Sequence, residues 1–199
     1  VTTRDPDTLA FYAAEAQAYA DRRSTAPQPR LERFLAALPA GAGILELGCG
    51  GGQDSAVMLA RGFDVTPTDG SPEMAREAER RLGQPVAVLL FQDIEGCALY
   101  DAVWARACLL HAPRPELPGV IGRVHRILKP GGRLYASFKA GEGEGRDRLG
   151  RYFNYPSAEE LRGVFATAPW ATLEIEAAQG GGYDGEPTPW LHVTAVKPD

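Results

Sequence analysis

The feature that most constrains this chain is the alternation of short apolar runs with amphipathic stretches from about residue 30 onward. Strands separated by helices are joined by crossovers rather than hairpins, which gives a mostly parallel sheet with helices on both faces. Strands are expected at 43–47, 63–69, 86–91, 100–109 and 133–139, with a terminal pair at 171–178 and 190–197. Helices are expected at 7–22, 29–38, 53–61 and 71–82, then in a Pro-punctuated stretch ending at Leu128, and at 157–166. Ser71-Pro72-Glu73 supplies an N-cap and a first-turn proline. The unbroken apolar run Val86 to Phe91 reads as a strand buried on both faces. Gly141 to Gly150 reads as a loop or short lid, and Gly180-Gly181-Gly182 as the loop between the last two strands. Trp104, Trp170 and Trp190 fall in or beside strands and read as core.

The 199 residues fit one domain, without internal repeats, and 44% hydrophobic with 24% charged residues is ordinary for a soluble protein. Within it, residues 1–40 are expected to form an N-terminal helical lid and 41–199 the core. A net charge of −5 argues against a nucleic acid as a general partner, because phosphate contacts need clustered basic surface. No apolar run approaches the ~18 residues of a membrane span, and no signal-peptide pattern is seen. Cys49, Cys97 and Cys108 are odd in number and lack metal-ligand spacing, so free thiols, a cytoplasmic location and no metal are expected.

The first strand runs directly into Glu46-Leu47-Gly48-Cys49-Gly50-Gly51-Gly52, a glycine-rich turn between strand and helix. Such a turn lets the backbone approach a ligand at the carboxyl edge of the sheet. The next strand ends at Asp69, whose carboxylate suits the two hydroxyls of a ribose. A dinucleotide needs G-x-G-x-x-G and a helix N-terminus aimed at pyrophosphate. Here the glycines alternate, and an acid precedes them by two positions, which suits a cationic ligand better. That spacing favours S-adenosylmethionine over a nicotinamide cofactor.

Glu46 to Gly52 resembles the first motif of class I S-adenosylmethionine-dependent methyltransferases. Thr68-Asp69-Gly70-Ser71-Pro72-Glu73-Met74 resembles the family's ribose-binding segment, and Gln92-Asp93-Ile94 its adenine-binding segment. Leu128-Lys129-Pro130-Gly131-Gly132 is similar to its turn before the fifth strand. A narrower likeness, carried by residues 104–111 and 137–144, is to small bacterial methyltransferases related to the tellurite-resistance group, in which His or Asn often stands at the place of Arg106. The resemblance implies a three-layer, Rossmann-like, doubly wound α/β fold with a seven-stranded sheet whose last strand is antiparallel. It also implies methyl transfer to a small molecule, with S-adenosylhomocysteine as the spent cofactor. A protein that keeps the cofactor without catalysis is the alternative.

The cofactor site expected from this comprises Tyr19, Glu46, Gly48, Cys49, Gly50, Asp69, Gly70, Met74, Asp93, Ile94 and Arg106. Arg106 and His111, at the end of the fourth strand, are the candidates for catalysis. His111 reads either as a base or acceptor-orienting donor, or as a loop histidine bound to backbone; Arg106 reads either as partner of an anionic acceptor or of a nearby acid. Cys108 reads as a small core residue. Lys139, Arg146, Arg148, Arg151, Tyr152 and Tyr155 follow the fifth strand, where a basic, aromatic segment could close over an anionic or aromatic acceptor. From these, Lys139, Arg148 and Tyr152 join Tyr12 and His111 as candidate acceptor contacts. Tyr12 and Tyr19 share a helical face and could shield the sulfonium.

Overall fold

The computed structural model describes residues 5–22, 29–183 and 185–199. In chain order the helices are α1 (Pro6–Ala14), α2 (Ala16–Arg22), α3 (Pro29–Ala36), α4 (Gln53–Ala60), α5 (Pro72–Leu82), α6 (Leu117–Ile127) and α7 (Ala158–Phe165). The strands are β1 (Gly43–Leu47), β2 (Asp64–Asp69), β3 (Ala87–Val88), β4 (Tyr100–Ala105), β5 (Leu128–Lys139), β6 (Gly145–Arg146), β7 (Tyr152–Phe153), β8 (Thr172–Gly181) and β9 (Pro187–Val196). Seven strands form one sheet in the order β3-β2-β1-β4-β5-β9-β8, and only β9 runs antiparallel to its neighbours. From β1 the chain winds outward through β2 and β3, then returns to place β4 on the other side. The turns after β1 and β4 therefore diverge, leaving the crevice where open parallel sheets bind ligands.

The two-residue period of the strands sorts the core into two layers. Leu45, Leu47, Val103, Ala105, Leu134 and Ala136 face Val120, Ile121, Val124 and Phe165 from α6 and α7. Ile44, Ala102, Trp104 and Tyr135 face the other way, onto Leu31, Phe34 and Leu35 of α3. Of the segment expected as a lid, α3 is thus packed into the core, while α1 and α2 flank the crevice. Local signals set the helix ends. The Ser71 hydroxyl accepts from the Met74 amide to start α5, Gly83 ends it at φ 66°, and Ser157 with Glu160 caps α7 reciprocally.

Several elements differ from the sequence reading. The run 86–91 contributes only Ala87 and Val88 to the sheet, at an exposed edge rather than between two buried faces. Its apolar residues Leu89, Leu90 and Phe91 leave the sheet to wall a cavity. The strand expected to reach Leu109 stops at Ala105, because Ala107 turns at φ 54° and 109–111 form a short 3-10 helix. The expected helix 7–22 breaks at Glu15. Gly180 and Gly181 lie within β8, so the hairpin turn falls later, and the loop 141–150 contains one strand of the β6–β7 ribbon. Trp104 is fully buried, whereas Trp170 and Trp190 are only partly so.

At Gly48 the β1 turn meets the β4 turn. Its φ is 64°, and a Cβ there would lie 2.4 Å from the Cys108 Cβ. Gly48→Ala is therefore expected to cost about 2–4 kcal/mol of stability, from left-handed backbone strain plus overpacking. Because the overlap is with a Cβ, Cys108→Ala should not relieve it; denaturant titration of the single and double variants checks both statements.

Candidate active site

The crevice holds two adjoining cavities. The first, about 780 Å³ and partly open to solvent, is lined by Gly48, Gly50, Asp69, Gly70, Met74, Leu89, Leu90 and Phe91, with Leu9, Tyr12 and Tyr19 from α1 and α2. Asp69, at the end of β2, reaches it, as does Asp5 ahead of α1, and both Asp69 oxygens take main-chain donors. Gly50 N–H gives to Oδ2 and Ser71 N–H to Oδ1, each at 2.9 Å. Burial pushes the carboxyl up to about 6, against the downward pull of these hydrogen bonds. Each oxygen keeps a lone pair for a further donor. An acid beside a slot of Leu, Met and Phe suits a ligand with a hydroxylated sugar joined to a flat apolar base.

The second cavity, about 1570 Å³ with much of it open, lies over β4, β5 and β9. Trp104, Tyr135, Ser137, Lys139, Arg151, Phe153, Trp190 and His192 line it. Tyr12, Tyr19, Arg106, Ala107 and His111 line both cavities and so form the wall between them. Arg106 is fixed from behind: its Nη1 donates to Asp54 Oδ1 at 2.9 Å, while Asp54 Oδ2 accepts from Trp104 Nε1. It pairs with an acid and still faces both cavities.

His111 is defined by its two neighbours. Nδ1 lies 2.6 Å from the Tyr152 carbonyl, which can only accept, so Nδ1 carries the proton. Nε2 is then an acceptor, and the Tyr12 hydroxyl 3.0 Å away donates to it. Burial is the main cause that lowers the His111 pKa to about 4; Arg151 and Lys139 add to it. The imidazole is therefore neutral at physiological pH. Burial likewise raises the Tyr12 hydroxyl well above its ordinary value.

Three chain segments meet around Arg151, a side chain only 2% exposed. It pairs with Asp147 at 2.6 Å and lies 4.8 Å from the Phe11 ring, 5.2 Å from Phe153 and 5.3 Å from Tyr183. Its Nη1 also reaches the Tyr12 hydroxyl at 3.4 Å. On the same β7 ribbon, the Tyr152 amide donates to Thr8 Oγ1 at 2.8 Å, and Arg146 pairs with Asp5. Helix α2 closes the glycine turn: Arg81 donates to the carbonyls of Gly51 and Ala20, and a Cβ at Gly51 would lie 2.8 Å from that of Ala20.

The residues singled out in the sequence are thus divided. Tyr12, Tyr19, Gly48, Gly50, Asp69, Gly70, Met74, Arg106 and His111 converge on the first cavity, and Lys139 lies in the second. Glu46 is buried beneath the glycine turn, where its carboxylate accepts from Ser55, and Cys49 is buried without lining either cavity. Asp93 is exposed and Ile94 buried, both outside the two linings. Arg148 is exposed outside them as well, and the Tyr152 hydroxyl turns away to Glu144. Sequence reasoning passed over Thr8, Leu9, Leu89, Leu90 and Phe91, and grouped Arg151 with the loop charges without singling it out. The apolar run 86–91 was the visible signal, but its periodicity does not tell a cavity wall from core.

Comparison with known proteins agrees with this geometry. Residues 44–132 match the methyltransferase domain family. The chain is 37% identical over 116 residues to a ubiquinone biosynthesis O-methyltransferase of Xanthomonas axonopodis pv. citri, covering 54% of this chain and 48% of the relative. A namesake from Xylella fastidiosa is 32% identical over 116 residues, covering 54% and 46%. The chain thus spans about half the length of these curated relatives. Among solved structures, the 1,6-didemethyltoxoflavin-N1-methyltransferase of Burkholderia thailandensis superposes with a TM-score of 0.75 at 21% identity, over 100% of this chain and 93% of that one. The N-methyltransferase NodS of Bradyrhizobium japonicum gives 0.68 at 20%, over 98% and 100%. The seven-stranded sheet that contains the matched segment 44–132 thus shares its Rossmann-like fold with these solved methyltransferases.

Proposed function

We propose that the protein is an S-adenosylmethionine-dependent methyltransferase acting on a small-molecule acceptor. The observation that carries this reading is Asp69, placed by two main-chain donors at the mouth of an apolar slot beside the Gly48–Gly50 turn. Solved relatives of this fold hold S-adenosylhomocysteine, and the residues here fit that group. Asp69 would take the ribose hydroxyls, Leu89, Leu90 and Phe91 the adenine, and the Gly48–Gly50 turn the amino-acid portion. When bound, the cofactor supplies a methyl group on a sulfonium, a leaving group that needs no further activation. What remains for the protein is alignment and exclusion of water. Tyr12, Tyr19, Arg106 and His111 stand where the cavities meet and would orient the acceptor. With its Nδ1–H held by Tyr152 and its Nε2 engaged by Tyr12, His111 acts as a neutral orienting group rather than a proton carrier.

A cytoplasmic setting fits three free thiols, two of them buried, and among the described residues no helix is long and apolar enough to cross a membrane.

Asp69→Ala is expected to weaken S-adenosylhomocysteine binding by about 1.5–3 kcal/mol, the scale of hydrogen bonds to a charged group. Unchanged affinity by calorimetric titration would remove the ribose assignment. Because the ionised carboxylate is the better acceptor, wild-type affinity should fall by about tenfold per unit below pH ~6, and an Asp69→Asn variant should show no such slope.

The stability of the fold should respond to His111 in the opposite sense to Asp69. A histidine held at about 4 rather than 6.5 contributes stability that is lost as pH falls through that window. A carboxyl raised from 3.8 to about 6 binds protons more tightly in the folded state, so its contribution grows as pH falls from 6. Relative to wild type, His111→Gln should gain about 3 kcal/mol between pH ~7 and ~4, measured by urea unfolding. A constant difference across that range would mean the imidazole titrates normally.

A further inference from the structure

Resting on the reading above, we infer that the acceptor is an aromatic compound bound as an oxygen anion, a phenolate or aryl carboxylate, held by Lys139 together with Arg151 and Arg106. Among the described residues, four cationic side chains, these three and Arg30, line the second cavity, and no Asp or Glu does. The carboxylates that pair with the arginines, Asp54, Asp147 and Glu176, lie outside that lining. The guanidiniums are thereby held in place without bringing an anion into the cavity. Lys139 is 7% exposed and points its ammonium at the Phe153 ring from 4.3 Å, while Arg151 lies 5.2 Å from the same ring. An oxygen anion placed between them would be attracted by both side chains.

The aromatic part follows from the rest of the wall, which includes the rings of Tyr12, Tyr19, Phe153, Tyr183 and Trp190. An ammonium acceptor would meet no carboxylate among the described lining residues, and its methylated product would keep a positive charge among cations. An oxygen anion reverses that balance. The O–C bond forms as the donor's S–C bond breaks, the pair returns to sulfur, and the acceptor's charge is cancelled. The acceptor's own proton has already gone to water outside the cavity, favoured by the cationic lining. That dispenses with a side-chain base, in keeping with a His111 whose ring nitrogens are both engaged.

The test is calorimetric titration of the full chain, with and without saturating S-adenosylhomocysteine, using 4-nitrophenolate and benzylammonium as matched ring probes at pH ~8.5. The expected result is phenolate binding at least about tenfold tighter than benzylammonium. That preference should be lost in Lys139→Met and kept in Lys139→Arg, with S-adenosylhomocysteine affinity within about twofold in both. Equal or tighter binding of benzylammonium, no measurable phenolate binding, or phenolate binding indifferent to Lys139→Met overturns the inference. Failure of S-adenosylhomocysteine to bind is the separate outcome that overturns the methyltransferase reading, and the phenolate titration without it still decides the charge of the acceptor.

Discussion

Asp69 ends β2 where its two carboxylate oxygens take separate main-chain donors, Gly50 from the turn after β1 and Ser71 from the start of α5. One side chain thereby fixes the spacing between two turns whose strands are parallel neighbours. The fixture is held against an electrostatic cost: burial outweighs the two hydrogen bonds and leaves the carboxyl at about 6. Donors from a bound ligand would lower that cost. The arrangement is built more tightly than a connecting turn requires, which is the physical reason to read it as a binding site.

The second anchor is the contact between the turns after β1 and β4. Gly48 touches Cys108 closely enough to forbid a side chain, and Ala107 takes a left-handed conformation to bring its neighbours around. The Ala107 amide is held by Ser137 Oγ at 2.9 Å, so the end of β5 braces the end of β4. Arg106 and His111 flank that brace. Their side chains are in turn fixed by Asp54 and by the Tyr152 carbonyl. Arg106 and His111 are therefore fixed by groups that line neither cavity, while Ser137, which holds Ala107, lines the second.

The sheet was legible in the sequence because parallel strands buried by helices carry continuous apolar runs, and because caps such as Ser71-Pro72 and Ser157 mark helix starts locally. The convergence of Gly48, Gly50 and Asp69 on one cavity was legible for a similar reason: they are placed by strand ends. Residues 86–91 misled because apolarity does not tell core from cavity wall or edge: Val86 is buried, Ala87 and Val88 form an exposed edge, and Leu89 to Phe91 wall a cavity. Arg151 was hidden for a different reason. Its role depends on Phe11 and Tyr183, distant in sequence on either side, and a charge in a Gly-rich loop reads as solvated until those rings close on it.

That closure also explains why α1 is attached as it is. Thr8 is the only residue of α1 that is buried, so apolar packing contributes little to holding it down. Many of its attachments are polar or aromatic and run to one ribbon, Asp5 to Arg146, Thr8 to the Tyr152 amide, Phe11 and Tyr12 to Arg151, while Tyr12 also bonds His111 and Phe11 meets Tyr183. Exposed ion pairs and single hydrogen bonds contribute about 1 kcal/mol or less each. An element held this way can detach without opening the core, unlike α3 with Leu31, Phe34 and Leu35 beneath the sheet. In the enzyme proposed above, a cover that admits a ligand and then excludes water would need contacts of this kind, individually weak and several of them grouped around Arg151.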